Sequence, residues 1–131
     1  MVKKVGEHIT LDIIGTKKEY SPSFYEKLVY KIAKKAKVTV LEISKHKFEP
    51  QGFTLVALLA ESHISFHTFP ERGIISFDFF TCGKVSPLVA LDILKKEIEH
   101  KRIVKKEFNR DTVTLYDDIY SSPGLKKFYV V

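Results

Sequence analysis

Hydrophobic and polar residues change their spacing several times along this chain, and each change marks an element. From Gly6 to Gly15, Ile9, Leu11 and Ile13 alternate with more polar neighbours, the two-residue period of a strand. Between Ser21 and Ala36 the period lengthens. Phe24, Leu28, Val29 and Ile32 recur at helical spacing there, with Ser21 or Ser23 placed to cap the first turn. The β-branched run Val38 to Ile43 predicts a second strand, followed by a charged loop, Lys45 to Gly52, that holds Phe48. Phe53 to Ala60 is apolar at nearly every position, which predicts a central strand covered on both faces. Ile64 to Phe69 and Ile74 to Thr81 flank Pro70-Glu71-Arg72-Gly73 and predict a hairpin closed by a four-residue connection. Ser86-Pro87 opens a second helix, whose apolar face is Leu88, Ala90, Leu91, Ile93, Leu94 and Ile98. Lys101 to Phe108 predicts a last strand, and a Tyr-rich tail with a turn at Ser122-Pro123-Gly124 follows.

The predicted order is β-α-β-β-β-β-α-β. A mainly antiparallel sheet with two helices on one face, an α+β two-layer sandwich, buries these faces most simply. At 131 residues the chain fits one domain, 1–131, and it carries no repeats or linkers.

Strand alternation also sorts the side chains of the hairpin. His63, Ser65 and His67 share one side while Ile64 and Phe66 share the other; Ser76, Asp78 and Cys82 are in phase, opposed by Ile75, Phe77 and Phe79. A four-residue connection pairs Phe69 with Ile74, and therefore His67 with Ser76, Ser65 with Asp78, and Glu61 with Cys82. This register lays a lone thiol beside the Glu61-Ser62 peptide. Polar groups behind an apolar strand must be hydrogen-bonded or they cost stability, so Glu61, Ser62, His63, Ser65 and His67 form either a satisfied structural patch or a site.

Composition narrows the classes. With 44% hydrophobic and 29% charged residues the chain reads as globular rather than disordered. Twenty-two Lys and Arg against sixteen Asp and Glu would permit nucleic-acid contact, but the cations are dispersed, and several sit where helices end. That is the pattern of a solvated surface, and no nucleic-acid partner is expected. Cys82 is the only cysteine, which excludes an internal disulfide framework. Charges interrupt the N-terminal segment and no run approaches membrane-spanning length, so the expected protein is cytoplasmic, with no membrane partner. His63 and His67 with Cys82 are a weak zinc signal, three ligands from adjacent strands without a second cysteine, and no metal is expected. The Gly-x-Ser-x-Gly elbow of a serine hydrolase and the glycine loops that cradle phosphates are both missing.

Two motifs together, "AESHISFHTFPE" and "FDFFTCG", resemble the prokaryotic S-adenosylmethionine decarboxylases, and the likeness runs from "GEHITLDIIG" to the helix near Leu88. The resemblance implies a proenzyme that cuts itself between Glu61 and Ser62, giving 1–61 and 62–131. In such proteins the serine hydroxyl attacks the preceding carbonyl, the ester is eliminated after a base removes the serine α-proton, and the dehydroalanine loses ammonia to leave a pyruvoyl cofactor. That chemistry needs a hydroxyl at position 62 and a strained or polarised peptide before it. His67 falls on the processing base, and Thr54 on a hydroxyl residue that assists the same step. Cys82 falls on the proton donor of the decarboxylation, which proceeds through a Schiff base between substrate amine and pyruvoyl ketone. Glu71 falls on the acid that receives the ribose hydroxyls of S-adenosylmethionine, and Phe48 on the aromatic that stacks on adenine, aided by the nearby sulfonium. A homodimer with sites near the subunit boundary, and a role in polyamine (spermidine) synthesis, are also implied. Phe69 stands where many relatives have tryptophan, and Arg72 where an uncharged residue is common. Some relatives decarboxylate arginine or another basic amino acid with the same machinery, which is the nearest alternative; retained Glu71 favours adenosylmethionine. A basic binding module without catalysis is the remote one.

Overall fold

The computed structural model describes residues 5–110 in full and, beyond them, the backbone pairing of Val2–Lys3 with Thr112–Val113. The order of the main elements is β1 (Glu7–Ile14), α1 (Pro22–Ala36), β2 (Val40–Lys47), β3 (Phe53–Leu59), β4 (Ser62–Phe69), β5 (Ile74–Thr81), α2 (Val89–Glu97) and β6 (Arg102–Asn109). The six strands form one antiparallel sheet in the spatial order β2-β3-β4-β5-β1-β6. Both helices lie on one face, as the alternation predicts. The anticipated turn at Ser122-Pro123-Gly124 lies outside the described residues.

The core sits between helices and sheet. Ile9, Leu11 and Ile13 of β1, Leu55 and Ala57 of β3, Ile64 and Phe66 of β4, and Phe77 and Phe79 of β5 are all buried there against Tyr25, Leu28, Val29, Ile32, Ala90 and Leu94. Truncating Phe66 or Phe77 to alanine would cost about 3–5 kcal/mol. Burial pushes the Tyr25 phenol well above its ordinary range, helped by Tyr20 and Glu19. Helix α1 starts where its capping serine predicts: Ser21 Oγ accepts from Phe24 N at 3.3 Å. It stops at Lys37, whose left-handed conformation (φ 58) lets its N–H close on the last carbonyls.

Three sequence expectations are corrected. Strand β2 continues to Lys47, through residues expected to be loop. Ser44, Lys45, His46 and Lys47 are exposed on both sides of an edge strand, so no apolar period betrays them, and charged edges are how sheets discourage further pairing. Strand β3 is interior to the sheet but covered on one face only: Val56 and Leu58 are 43% and 51% exposed. Helix α2 begins at Val89, a turn later than Ser86-Pro87, because Ser86 first closes a turn that takes the N–H groups of Leu88 and Val89.

The β4–β5 connection is a single 3₁₀ turn, Pro70–Arg72, closed by Gly73 at φ 64. A side chain there would be strained. The Gly73 carbonyl accepts from Gly15 N and Thr16 N at 2.9 and 3.1 Å, tying this turn to the end of β1.

Candidate active site

The β3–β4 turn carries the bond of interest. Glu61 has φ 59, the left-handed region that residues with a Cβ rarely occupy, so strain is stored directly before Ser62. Ser62, the first residue of β4, pairs with Leu59 on one side and Thr81 on the other. Its hydroxyl is buried on the helix-covered side, 3.3 Å from Ala60 O and 3.3 Å from Thr81 Oγ1. One hydrogen serves only one of these at a time. The hairpin register is the predicted one, with His67 opposite Ser76 and Ser65 opposite Asp78. Just past the end of that ladder, Cys82 Sγ donates to Glu61 O at 2.8 Å. The thiol therefore lies against the carbonyl that Ser62 would attack.

The far end of the same strand holds a second group. His67 Nδ1 lies 3.1 Å from Thr54 Oγ1, its directly opposed partner on β3. Glu71, in the 3₁₀ turn, accepts from Gln51 Nε2 at 3.4 Å, and Gln51 belongs to the β2–β3 loop that also carries Phe48. Phe48 is 47% exposed and packs edge-on to His46. Ser62 and Cys82 are thus brought together, and so are Thr54 and His67, with Glu71 and Phe48 at the same end. The two groups are not brought together within one chain. Five residues of extended strand separate Ser62 from His67 by about 17 Å, and an odd number places their side chains on opposite faces.

Between the two ends, the open face holds a polar network that sequence reasoning saw only in part. His8 Nε2 lies 2.8 Å and His63 Nε2 3.4 Å from Asp78 Oδ2, and Ser65 Oγ donates to Asp78 Oδ1. Desolvation pushes the Asp78 carboxyl up, but the hydrogen bonds from Ser65 and His8 and the charges of His63 and His8 outweigh it and hold the group below the usual carboxylate range. His8 went unremarked because it lies 70 residues from its partner, although β1 alternation already places it on this face. The His63, His67 and Cys82 set is not brought together, since His63 faces Asp78, His67 faces Thr54 and Cys82 faces the Glu61 carbonyl; the side chains whose ligand atoms do lie within 4.8 Å of one another are His8, His63 and Asp78. Thr81 was also missed. Its signal was available, since the hairpin register pairs it with Ser62.

A family model described as S-adenosylmethionine decarboxylase matches residues 7–111 of this sequence. The chain belongs to that family. A proenzyme of this family from Prochlorococcus marinus (strain MIT 9313) is 40% identical over 111 residues, covering 82% of this chain and 89% of that protein. Another, from Parasynechococcus marenigrum (strain WH8102), is 38% identical over 122 residues, with 91% and 95% covered. The crystal structure of adenosylmethionine decarboxylase from Aquifex aeolicus superposes with a TM-score of 0.74 at 35% identity, covering 85% of this chain and 94% of that one. The S-adenosylmethionine decarboxylase family thus accounts for the fold and for both motifs around Ser62 and Cys82. No helix among the described residues is long and apolar enough to cross a membrane.

Proposed function

We propose that this chain is a proenzyme that cuts itself between Glu61 and Ser62 and then decarboxylates S-adenosylmethionine, supplying the aminopropyl donor of polyamine synthesis. Family membership supports the reaction. The observation that carries the self-cut is the Cys82 contact on the carbonyl of Glu61, a left-handed residue in the turn directly before Ser62. The thiol polarises the carbonyl as a hydrogen-bond donor does in an oxyanion hole, and relaxation of Glu61 favours opening of the bond.

These residues fit a pyruvoyl group made in place from Ser62. Such a group supplies a carbonyl that takes up the electrons left by departing carbon dioxide. Cys82 then stands beside the new N-terminus of 62–131 and can deliver a proton there. Glu71 offers a carboxylate for a ribose diol and Phe48 a half-exposed ring for adenine, both toward the His67 end of the strand rather than the Ser62 end.

That separation supports a homodimer in which each site is shared. The open face of the sheet exposes Val56 and Leu58 in line with Thr54, on the same side as His67. Two such faces stacked in opposite directions would bury these side chains and set the Thr54, His67, Glu71 and Phe48 end of one chain against the Ser62 and Cys82 end of the other.

Denaturing mass measurement of the purified protein tests the cut: two fragments are expected, with the one beginning at residue 62 lighter by one ammonia than its serine form. Labelled carbon dioxide released from adenosylmethionine and not from arginine completes the test. A chain that remains whole at 15.1 kDa after warm incubation overturns the proposal.

A further inference from the structure

We propose that Thr81 is a positioning residue for self-cleavage, its hydroxyl acting as the post that aims the Ser62 nucleophile at the Glu61 carbonyl. This rests on the self-processing reading above. Consecutive strand residues project to opposite faces, so Thr81 and Cys82 cannot normally serve one group. Here they do, because β5 ends beside the turn that holds the scissile peptide. Thr81 Oγ1 meets the nucleophile at 3.3 Å, while Cys82 Sγ meets the oxygen of the carbonyl to be attacked at 2.8 Å.

The post is rigid. Thr81 is 2% exposed, and its β-branched side chain has few rotamers to choose from. Gly83 N donates to its hydroxyl at 3.0 Å, which locks the oxygen in place. Gly83 also leaves room for it: a Cβ at that position would lie 3.1 Å from Thr81 Oγ1, tighter than an ordinary contact. The other neighbour of the Ser62 hydroxyl, Ala60 O, belongs to the strained turn itself and offers no reference outside it. Thr81 therefore sets the nucleophile against the strand that also sets the electrophile.

The step it serves is balanced within the chain. The Ser62 Oγ to Glu61 carbon bond forms, the Glu61 carbon to Ser62 nitrogen bond breaks, and the hydroxyl proton ends on that nitrogen. Thr81 neither gains nor loses an atom. Its contribution is alignment, which is lost when the hydroxyl is removed.

The experiment follows cleavage of freshly translated full-length chains by denaturing gel, with and without added hydroxylamine, beside melting curves. Thr81→Val keeps the shape and removes the hydroxyl; it is expected to slow cleavage by about tenfold or more, the effect of one lost positioning hydrogen bond. Thr81→Ser restores the rate. Hydroxylamine, which cuts an accumulated ester, leaves Thr81→Val slow, because the ester is what fails to form. Gly83→Ala keeps both hydroxyls but presses on Thr81 Oγ1, and it is expected to slow cleavage with little change in melting temperature, which keeps the test open should Thr81→Val fail to fold. Wild-type rates in Thr81→Val or in Gly83→Ala, or hydroxylamine cutting Thr81→Val as fast as wild type, overturn the role of Thr81 alone. A wild-type chain that never splits overturns the self-processing reading and the role together.

Discussion

The two ends of β4 differ in what they do to a polar group. At the Ser62 end everything turns inward on one peptide: the hydroxyl is buried, the thiol is spent on a carbonyl, and the backbone is strained. At the His67 end the groups face outward, with Glu71 and Phe48 exposed and His67 held by one hydroxyl on the open face. The first end gathers a buried hydroxyl, a thiol and a left-handed residue around one peptide. The second turns its groups toward the open face, so the two ends of one strand point apart, and under the proposed function they would form a single site only where a second molecule supplies the missing end.

Replacing Ser62 by alanine should break the comparison most severely. Cleavage and decarboxylation both vanish in Ser62→Ala, as read by intact mass and by labelled carbon dioxide, because the nucleophile and the source of the pyruvoyl group are the same hydroxyl. His67→Ala should stall processing nearly as completely, and mixing it during refolding with Ser62→Ala sharpens the point. Cleaved fragments appearing only in the mixture show that one chain's imidazole works on the other chain's serine; a mixture that stays whole, or His67→Ala cleaving by itself, refutes shared sites. Cys82→Ala should still cleave, more slowly for want of the donor on Glu61 O, while turnover of the cleaved protein falls by roughly a hundredfold, the usual reach of a lost general acid.

Smaller effects probe the outward end and the network between. Glu71→Gln should raise KM for adenosylmethionine by about tenfold with kcat little changed, since a neutral amide receives two hydroxyls less well than a carboxylate. Asp78→Asn should change stability alone. The Asp78 carboxyl is held low in the folded state, so it contributes above its unfolded value and that contribution is lost as pH falls through its folded value. Melting curves of wild type and Asp78→Asn should therefore differ at neutral pH and converge as the pH drops below about 4.

How much of this was legible depends on what carried the signal. The hairpin was readable because a short turn and strict alternation together leave one register, and that register alone laid Cys82 beside Glu61. The edge strand β2 was not, since a strand wet on both sides has no apolar period. The left-handed Glu61 was not, because glutamate gives no warning of it. The separation of Ser62 from His67 was hidden in plain view: closeness in sequence suggests a shared site, yet extended backbone moves five residues far apart and reverses the face. The exposed side of β3 misled for a related reason. Val56 and Leu58 look like core to a reader of one chain, and only the uncovered sheet shows that no helix covers them.

A cut at Glu61–Ser62 would divide the strands into β1, β2 and β3 on one fragment and β4, β5 and β6 on the other. In the sheet they interleave, with β3 against β4 and with β1 gripped between β5 and β6. The fragments are thus woven through three antiparallel seams, and none can part without tearing a full ladder. Severing the chain costs the native assembly little cohesion, but it changes the way back: once melted, the fragments must find each other in solution, and recovery becomes a second-order event that dilution defeats. Maturation would turn a reversible folder into one that keeps its form only as long as it never loses it.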